Sequence, residues 1–183
     1  MECFELVDRM IAPGARVSLE ANYRKFKVTL QESACNSQAT IFNVPQEAIV
    51  IKLDDSIEVN KMFSGSFGEC KRSDFIIIAV NGPRLVILHV EMKHTRGDNA
   101  AVRKQLYGSH CFVRYLQELG RVFGQHQNFL KDAKHRFISI KHTGPRKRKT
   151  RFNRVADDHD SPERALVISS PNHVEFAKLC GGN

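Results

Sequence analysis

The chain has 183 residues, of which 42% are hydrophobic and 26% are charged. This balance is typical of one folded α/β domain and excludes an intrinsically disordered chain, and no apolar run approaches the roughly 20 residues of a membrane-spanning helix. The 28 Lys and Arg exceed the 20 Asp and Glu and leave a net charge of +8, which favours a polyanionic partner such as nucleic acid over charge that serves solubility alone.

The cysteines and the N-terminus indicate the compartment. The five cysteines are scattered and form no C-x-x-C pair, which favours reduced thiols over a disulfide framework or a zinc site. The first ten residues, MECFELVDRM, mix acidic and basic side chains, whereas a secretory signal begins with basic residues and continues with an apolar stretch. We therefore expect a cytoplasmic protein without a membrane partner.

The N-terminal part has the pattern of a helix followed by short strands. Phe4, Val7 and Ile11 recur at helical spacing before Pro13-Gly14 ends the segment. Extended segments are predicted next, over residues 26–30, 40–44 and 48–53. The pattern weakens between residues 54 and 73, where 56–63 favour a short helix and 64–68 (SGSFG) a loop.

The middle of the chain predicts a hairpin followed by a long helix. Residues 75–80 (FIIIAV) have the continuous apolar character of a central strand buried on both faces. A turn at Asn81-Gly82 leads into a return strand over residues 84–92. Asp98 or Asn99 is predicted to cap the helix, and Gly120 to end it.

The C-terminal part alternates further elements with a strongly basic segment. A second helix is predicted over residues 122–133, strands over 137–140 and 165–169, and a short helix capped by Asn172. The segment PRKRKTRFNR predicts phosphate contacts that carry no sequence information, the alternative being a solvated loop without a ligand. Its basic residues are Arg146, Lys147, Arg148, Lys149, Arg151 and Arg154.

The order of these elements predicts one α/β domain in which helices flank a mixed central sheet of four to six strands. We place the core at about residues 54–180 and a β-rich N-terminal addition at about residues 1–53.

Charged residues meet at the open end of the predicted hairpin. Asp74 begins the first strand, while Glu91 and Lys93 end the second and share one face of it. The start of one antiparallel strand lies beside the end of its partner, so a modest register offset brings the two carboxylates together. Such a group suits Mg²⁺ (or Mn²⁺), with the lysine placed to hold an attacking water and offset negative charge.

These residues resemble the PD-(D/E)XK nuclease superfamily, in which an acid starts one strand and E-x-K ends the next. SDFIIIA, HVEMK and the following helix carry the resemblance over residues 70–141, with Ser73 where the superfamily has its nominal proline. The resemblance implies a restriction-endonuclease-like core and a metal-dependent endonuclease. It further implies Asp74 and Glu91 as metal ligands, the Met92 carbonyl as a third ligand, and Lys93 as the catalytic base or water-orienting group.

The resemblance also suggests accessory residues near the site. Gln105 resembles the helix residue that often leans into it, and Glu69 and Glu58 are candidates for an extra acid, with solvated surface acids as the alternative. His94, beside the E-x-K strand, is placed to touch substrate phosphate. A second E-x-K, Glu69-Cys70-Lys71, lies in predicted loop with no apolar strand before it.

Substrate and partners follow from the same resemblance and from size. DNA is expected rather than RNA because of the superfamily's habits, and a metal-dependent RNase stays open. A nucleic-acid-binding module of the same fold that does not cleave is the other alternative. The small size favours a homodimer or a subunit of a larger complex.

Overall fold

The computed structural model describes residues 2–32, 37–53, 59–94, 98–143, 151–153, 158–171 and 173–181. Within these ranges the chain forms three α-helices and eleven strands. The helices are α1 (Glu2–Met10), α2 (Asn99–Val122) and α3 (Phe176–Leu179). The strands are β1 (Arg16–Val17), β2 (Glu20–Asn22), β3 (Lys25–Glu32), β4 (Ser37–Val44), β5 (Ala48–Lys52), β6 (Phe75–Asn81), β7 (Arg84–Lys93), β8 (Lys134–Lys141), β9 (Arg151–Asn153), β10 (Leu166–Ser169) and β11 (Val174–Glu175).

The larger sheet is mixed and has the order β1-β5-β6-β7-β8-β10-β9. Strands β5, β6 and β7 are antiparallel neighbours, whereas β8 runs parallel to β7, and β10 runs parallel to β8. The crossover from β7 to β8 contains α2, the long connection that parallel neighbours require. The prediction of an α/β fold with a mixed central sheet is therefore confirmed, although the described part of that sheet has seven strands where four to six were expected.

Strand β6 is apolar throughout because both of its faces are covered. Ile76 and Ile78 pack in a cluster with residues of α1 and α2, whereas Phe75, Ile77 and Ala79 pack in a second cluster with residues of β3 and β4. Strands β3 and β4 belong to the smaller sheet, whose order is β11-β4-β3-β2. Helices α1 and α2 thus cover one face of the larger sheet, and the smaller sheet together with α3 covers the other.

The turn of the hairpin differs from the prediction by one residue. Asn81 is still paired with Arg84, so the two turn residues are Gly82 and Pro83 rather than Asn81 and Gly82. Gly82 has φ +62°, a left-handed conformation that glycine adopts without steric cost. The resulting register fixes which residues face each other at the open end of the hairpin.

Helix α2 begins as predicted, but it continues past Gly120 to Val122. Asp98 caps it, since its carboxylate accepts hydrogen bonds from the N–H groups of Ala100 and Ala101. A Cβ on Gly120 would lie 1.9 Å from Cδ1 of Phe129. Gly120 therefore serves close packing inside the helix and does not end it.

The helix predicted over residues 122–133 is wrong beyond Val122. Residues after Phe123 form turns, and Phe129 and Leu130 are buried within them against the helices. Their apolar spacing reflects packing of successive turns, and Leu130 has φ +54°, which an α-helix excludes.

The structure joins the N-terminal segment to the rest of the chain through both sheets. Strand β5 pairs with β6 across the expected boundary at residue 53, and β11, near the C-terminus, pairs with β4. Of the short helix predicted over residues 56–63, the described part contains a 3-10 turn at Val59–Lys61. Glu58 and Asn172 lie outside the described residues. None of the helices described is both long enough and apolar enough to cross a membrane.

Candidate active site

Asp74 and Glu91 lie directly opposite each other at the open end of the hairpin. Phe75 pairs with Val90, so the adjacent residues, Asp74 and Glu91, occupy the next register position and no offset is needed. Both share the face of Ile76 and His89, which is the face that α2 covers. Asp74 is 6% exposed and Glu91 0%, so the polypeptide holds two acids side by side away from bulk water.

The Asp74 carboxylate is fixed by the backbone of the neighbouring strand. The N–H of Met92 donates to Asp74 Oδ2 at 2.6 Å, and the Asp74 carbonyl accepts a hydrogen bond from Leu53 N at 2.9 Å. The N–H and C=O of one strand residue point towards the same neighbouring strand. The Met92 carbonyl is therefore directed towards the β6 side of β7, where Asp74 lies. The Met92 side chain is buried on the opposite face.

Lys93 supplies the positive charge of the centre. Its Nζ lies 2.5 Å from Glu91 Oε1, and its side chain is 30% exposed while that of Glu91 is 0% exposed. The ammonium group therefore lies where the buried acid meets solvent. In this position it balances the charge of Glu91 and remains accessible to a ligand.

A second lysine, which the sequence analysis missed, lies beside the first. Strand β8 pairs Lys141 with Lys93 and Ser139 with Glu91. Lys141 is 6% exposed, and its Nζ donates to Asn99 Oδ1 in the first turn of α2 at 2.7 Å. The available signal was its place directly after the predicted strand 137–140, since the ends of parallel strands share one edge of a sheet.

A pocket of about 210 Å³ opens next to these residues. Asn99, Arg103, Ser139 and Lys141 contribute its polar side, and Val102, Pro162, Ala165 and Val167 form apolar walls. Among the described residues, no hydrogen-bond partner is found for the buried Ser139 Oγ. The pocket thus combines two cations and an unsatisfied hydroxyl with an apolar wall.

Among the accessory candidates, Glu69 was suggested as an extra acid of the site, but its carboxylate contacts the backbone of its own loop. Its carboxylate accepts hydrogen bonds from the N–H groups of Gly65 and Phe67, both at 2.9 Å. Hydrogen bonds from its own N–H and from those two residues lower the pKa of this acid. Glu69 therefore closes its own loop.

For Gln105 and His94 the described part of the chain shows no polar contact with the centre. Gln105 is half-buried on α2, one turn before Gly108. A Cβ on Gly108 would lie 1.6 Å from the Lys71 carbonyl, so α2 rests directly on the segment that leads into Asp74. His94 is exposed immediately after β7.

Most of the basic segment lies outside the described residues. This holds for residues 144–150 and 154–157, which include Arg146, Lys147, Arg148, Lys149 and Arg154. The backbone of Arg151 belongs to β9, which pairs with β10 at the edge of the larger sheet. The segment is thus anchored at β9, which β8 and β10 separate from β7.

His89, although it shares a strand face with Glu91, is engaged elsewhere. Its Nδ1 lies 3.0 Å from Ser109 Oγ, and its Nε2 lies 2.9 Å from His135 Nδ1. Ser109 donates its only hydroxyl proton to the Leu106 carbonyl, so His89 donates through Nδ1 and accepts through Nε2. Burial, followed by the charges of His135 and His110, holds the pKa of His89 well below its usual value.

The donor set at the hairpin end fits a hard divalent cation. Two carboxylates and one carbonyl are oxygen ligands, and Mg²⁺ typically takes one or two carboxylates and completes its shell with water and substrate phosphate. Among the residues that the structure describes, no group of three or more His, Cys, Asp or Glu side chains is arranged to hold a metal ion. On the chemistry of its oxygen donors alone, we take the Asp74–Glu91 pair with the Met92 carbonyl as the candidate metal centre.

Comparison with known proteins adds no relative. No protein-family model matches the chain, and no curated protein or solved structure is significantly similar to it. The resemblance to the PD-(D/E)XK superfamily accordingly stays a prediction from the sequence motif.

Proposed function

We propose that this protein is a divalent-metal-dependent nuclease that hydrolyses phosphodiester bonds, with DNA preferred over RNA. The observation that carries the proposal is the register of the hairpin, which places Asp74 opposite Glu91 on one buried face with Lys93 against Glu91. The order of the elements supports the proposal as well: three antiparallel strands, a helix, and a strand parallel to the third are what we expect of a restriction-endonuclease-like core.

Each residue of the centre has a role in this proposal. Asp74, Glu91 and the Met92 carbonyl would hold Mg²⁺ or Mn²⁺, which supplies Lewis-acid chemistry at the phosphoryl oxygen. Met92 N–H keeps the Asp74 carboxylate in place. Lys93 orients the attacking water and stabilises the negative charge that grows on the phosphate.

The cations beside the centre serve substrate binding. Lys141 and Arg103 line the adjacent pocket, where they can hold a phosphate next to the one that is cleaved. The net charge of +8 and the basic segment at residues 145–154 add contacts to the backbone of the nucleic acid. We expect the protein to act in the cytoplasm, because Cys3, Cys70, Cys111 and Cys180 are free thiols, and as a homodimer or a subunit of a larger complex.

The test is cleavage by purified protein of supercoiled plasmid, single-stranded DNA and RNA, each with Mg²⁺, Mn²⁺ or chelator. Asp74→Ala, Glu91→Ala and Lys93→Ala should each abolish cleavage, and the triple variant should lose little more, because one centre fails when any member is removed. The matched control is Glu118→Gln/Arg121→Gln, an exposed pair near the far end of α2, which should cleave at the wild-type rate.

Each other outcome has a clear meaning. Cleavage by the triple variant at the wild-type rate would show that the centre is misassigned. Binding of nucleic acid without cleavage under any condition would identify a binding module of this fold. Cleavage of RNA alone would identify a metal-dependent RNase.

A further inference from the structure

The loop before Asp74 exposes an apolar tip, which we define as Met62, Phe63 and Phe67. These side chains are 80%, 50% and 91% exposed, respectively. Single exposed apolar residues are normal on a protein surface and need no explanation. Three large ones within six positions concentrate apolar surface in one short segment, and concentrated exposed apolar surface marks binding sites.

The tip is held in a defined shape by hydrogen bonds. Each oxygen of the Glu69 carboxylate accepts a backbone N–H, from Gly65 and Phe67 respectively. Gly65 and Gly68, with φ of +80° and +91°, allow two tight turns that Gly68 N and Lys71 N close on the carbonyls of Gly65 and Gly68. The backbone of the loop thus directs the Phe67 ring into solvent.

The loop lies beside the candidate active site. Gly68 packs near Lys104 of α2, because a Cβ there would lie 3.3 Å from Lys104 Cδ. The next residues pass under Gly108 of α2 and enter Asp74. Lys61 and Lys71 are exposed in the same segment, and the exposed Lys104 packs near Gly68. Within the described residues 59–73 the one acid is Glu69, which turns its carboxylate towards the loop backbone.

We infer that Phe67 stacks on an unpaired nucleobase and that this loop selects nucleic acid with single-stranded or frayed bases next to the cleavage site. An exposed aromatic ring among lysines is how proteins bind single strands, since every base has a face for stacking and every nucleotide a phosphate for the cations. Apolar side chains can also enter between bases and unstack them. The inference rests on the proposed function for the position of the cleaved bond, but base stacking itself requires no catalysis.

The test separates stacking from cleavage by using the Asp74→Ala background, in which substrate stays intact. Binding to single-stranded DNA that carries 2-aminopurine is followed by fluorescence, which reports the stacking of that base. Phe67→Ala should weaken binding about tenfold and remove the fluorescence change, while fully paired DNA should bind almost as before. Phe67→Trp should retain both signals.

The matched control is Phe123→Ala, which removes a phenylalanine that is 79% exposed at the other end of α2. It should leave binding unchanged. Glu69→Gln, which weakens the acceptor that closes the loop, should give a smaller loss than Phe67→Ala. Since no charge changes at Phe67, the slope of log affinity against log salt should stay constant in Phe67→Ala.

The inference is overturned if Phe67→Ala binds single strands as tightly as its parent, or if Phe123→Ala produces the same loss. Binding of the wild-type chain to phosphatidylserine vesicles that is lost in Phe67→Ala, without an effect on DNA, overturns it in favour of a lipid surface. If the wild-type protein cuts nothing but Phe67-dependent stacking is seen, the inference stands and the proposed function fails. If the wild-type protein cuts and Phe67 is irrelevant, the reverse holds.

Discussion

Lys93→Met removes the cation that lies 2.5 Å from a completely buried carboxylate, and its effect on stability can be worked out from the structure. Removing one member of a buried ion pair costs roughly 3–5 kcal/mol. The Lys93 side chain is 30% exposed, so water already screens part of the interaction, and we expect a loss of about 2 kcal/mol. For a domain of this size that is about 4–8 °C in melting temperature.

The same variant tests the metal centre without any substrate. A cation that binds only the folded state stabilises it by RT ln(1 + [L]/Kd), which is roughly 1.4 kcal/mol for 10 mM metal and a Kd of about 1 mM. Wild-type protein should therefore melt about 3–6 °C higher in 10 mM Mg²⁺ than in chelator. Lys93→Met should gain more than wild type, since metal then replaces the missing charge, and Glu91→Gln should gain nothing.

The assay is thermal unfolding at pH 7.5 in chelator, Mg²⁺ or Mn²⁺, for Lys93→Met, Glu91→Gln and the double variant. Lys131→Met, at an exposed lysine in the turns after α2, is the control and should change little. In chelator, Lys93→Met/Glu91→Gln should lose less stability than the two single variants lose together. The reason is that Glu91→Gln removes the negative charge that Lys93→Met would otherwise leave without its lysine. Additivity within about 0.5 kcal/mol, together with no metal response, would refute the buried pair as the metal centre.

Two further predictions concern the basic segment and the titration of His135. Replacing residues 146–149 with glutamine should weaken binding equally across sequences and make the slope of log affinity against log salt shallower by roughly 3 to 4 units, and an unchanged slope would show that the segment does not reach the phosphates. Burial, then the charges of His110, Arg114 and Arg136, lowers the pKa of His135 from 6.5 to about 4. The unfolded chain then takes up this proton at a higher pH than the folded chain, so stability is lost as pH falls from about 6.5 to 4, by roughly 3 kcal/mol. Urea unfolding across this range should show a weaker pH dependence for His135→Gln, and identical curves would contradict this pKa.

The hairpin and its charged end could be predicted because their signals are local. Residues 75–80 are apolar without a break, and the turn residues after them leave few ways to continue other than an antiparallel return strand. The position of the turn was one residue off, since both Asn81-Gly82 and Gly82-Pro83 have turn chemistry. This small error mattered for the site, because it hid the direct register of Asp74 with Glu91.

The position of Lys141 beside Lys93 could not be predicted from the sequence, because it depends on which strand β8 pairs with in the sheet. Only the parallel pairing of β8 with β7 brings Lys141 beside Lys93, and nothing within residues 134–141 states which strand they join. Gly120 misled for a similar reason: glycine ends many helices, but here the ring of Phe129 requires the space that its missing Cβ leaves. The hydrogen bonds of Glu69 to its own loop could not be predicted either, because they depend on how that loop folds back on itself.

The burial of the two acids bears on whether this centre has a structural or a chemical purpose. Charges taken out of water cost several kcal/mol each, and well-packed apolar residues in place of a buried ion pair are often neutral or stabilising. The adjoining register position holds the apolar pair Phe75 and Val90, so pairing of the two strands does not itself require charged residues beside them. Asp74 instead faces Glu91, so the chain accepts repulsion between two acids as well as their desolvation, against which Met92 N–H and Lys93 provide stabilising contacts. A cation between the carboxylates would remove the repulsion, and this is why we propose metal binding, rather than stability of the sheet, as the purpose of these residues.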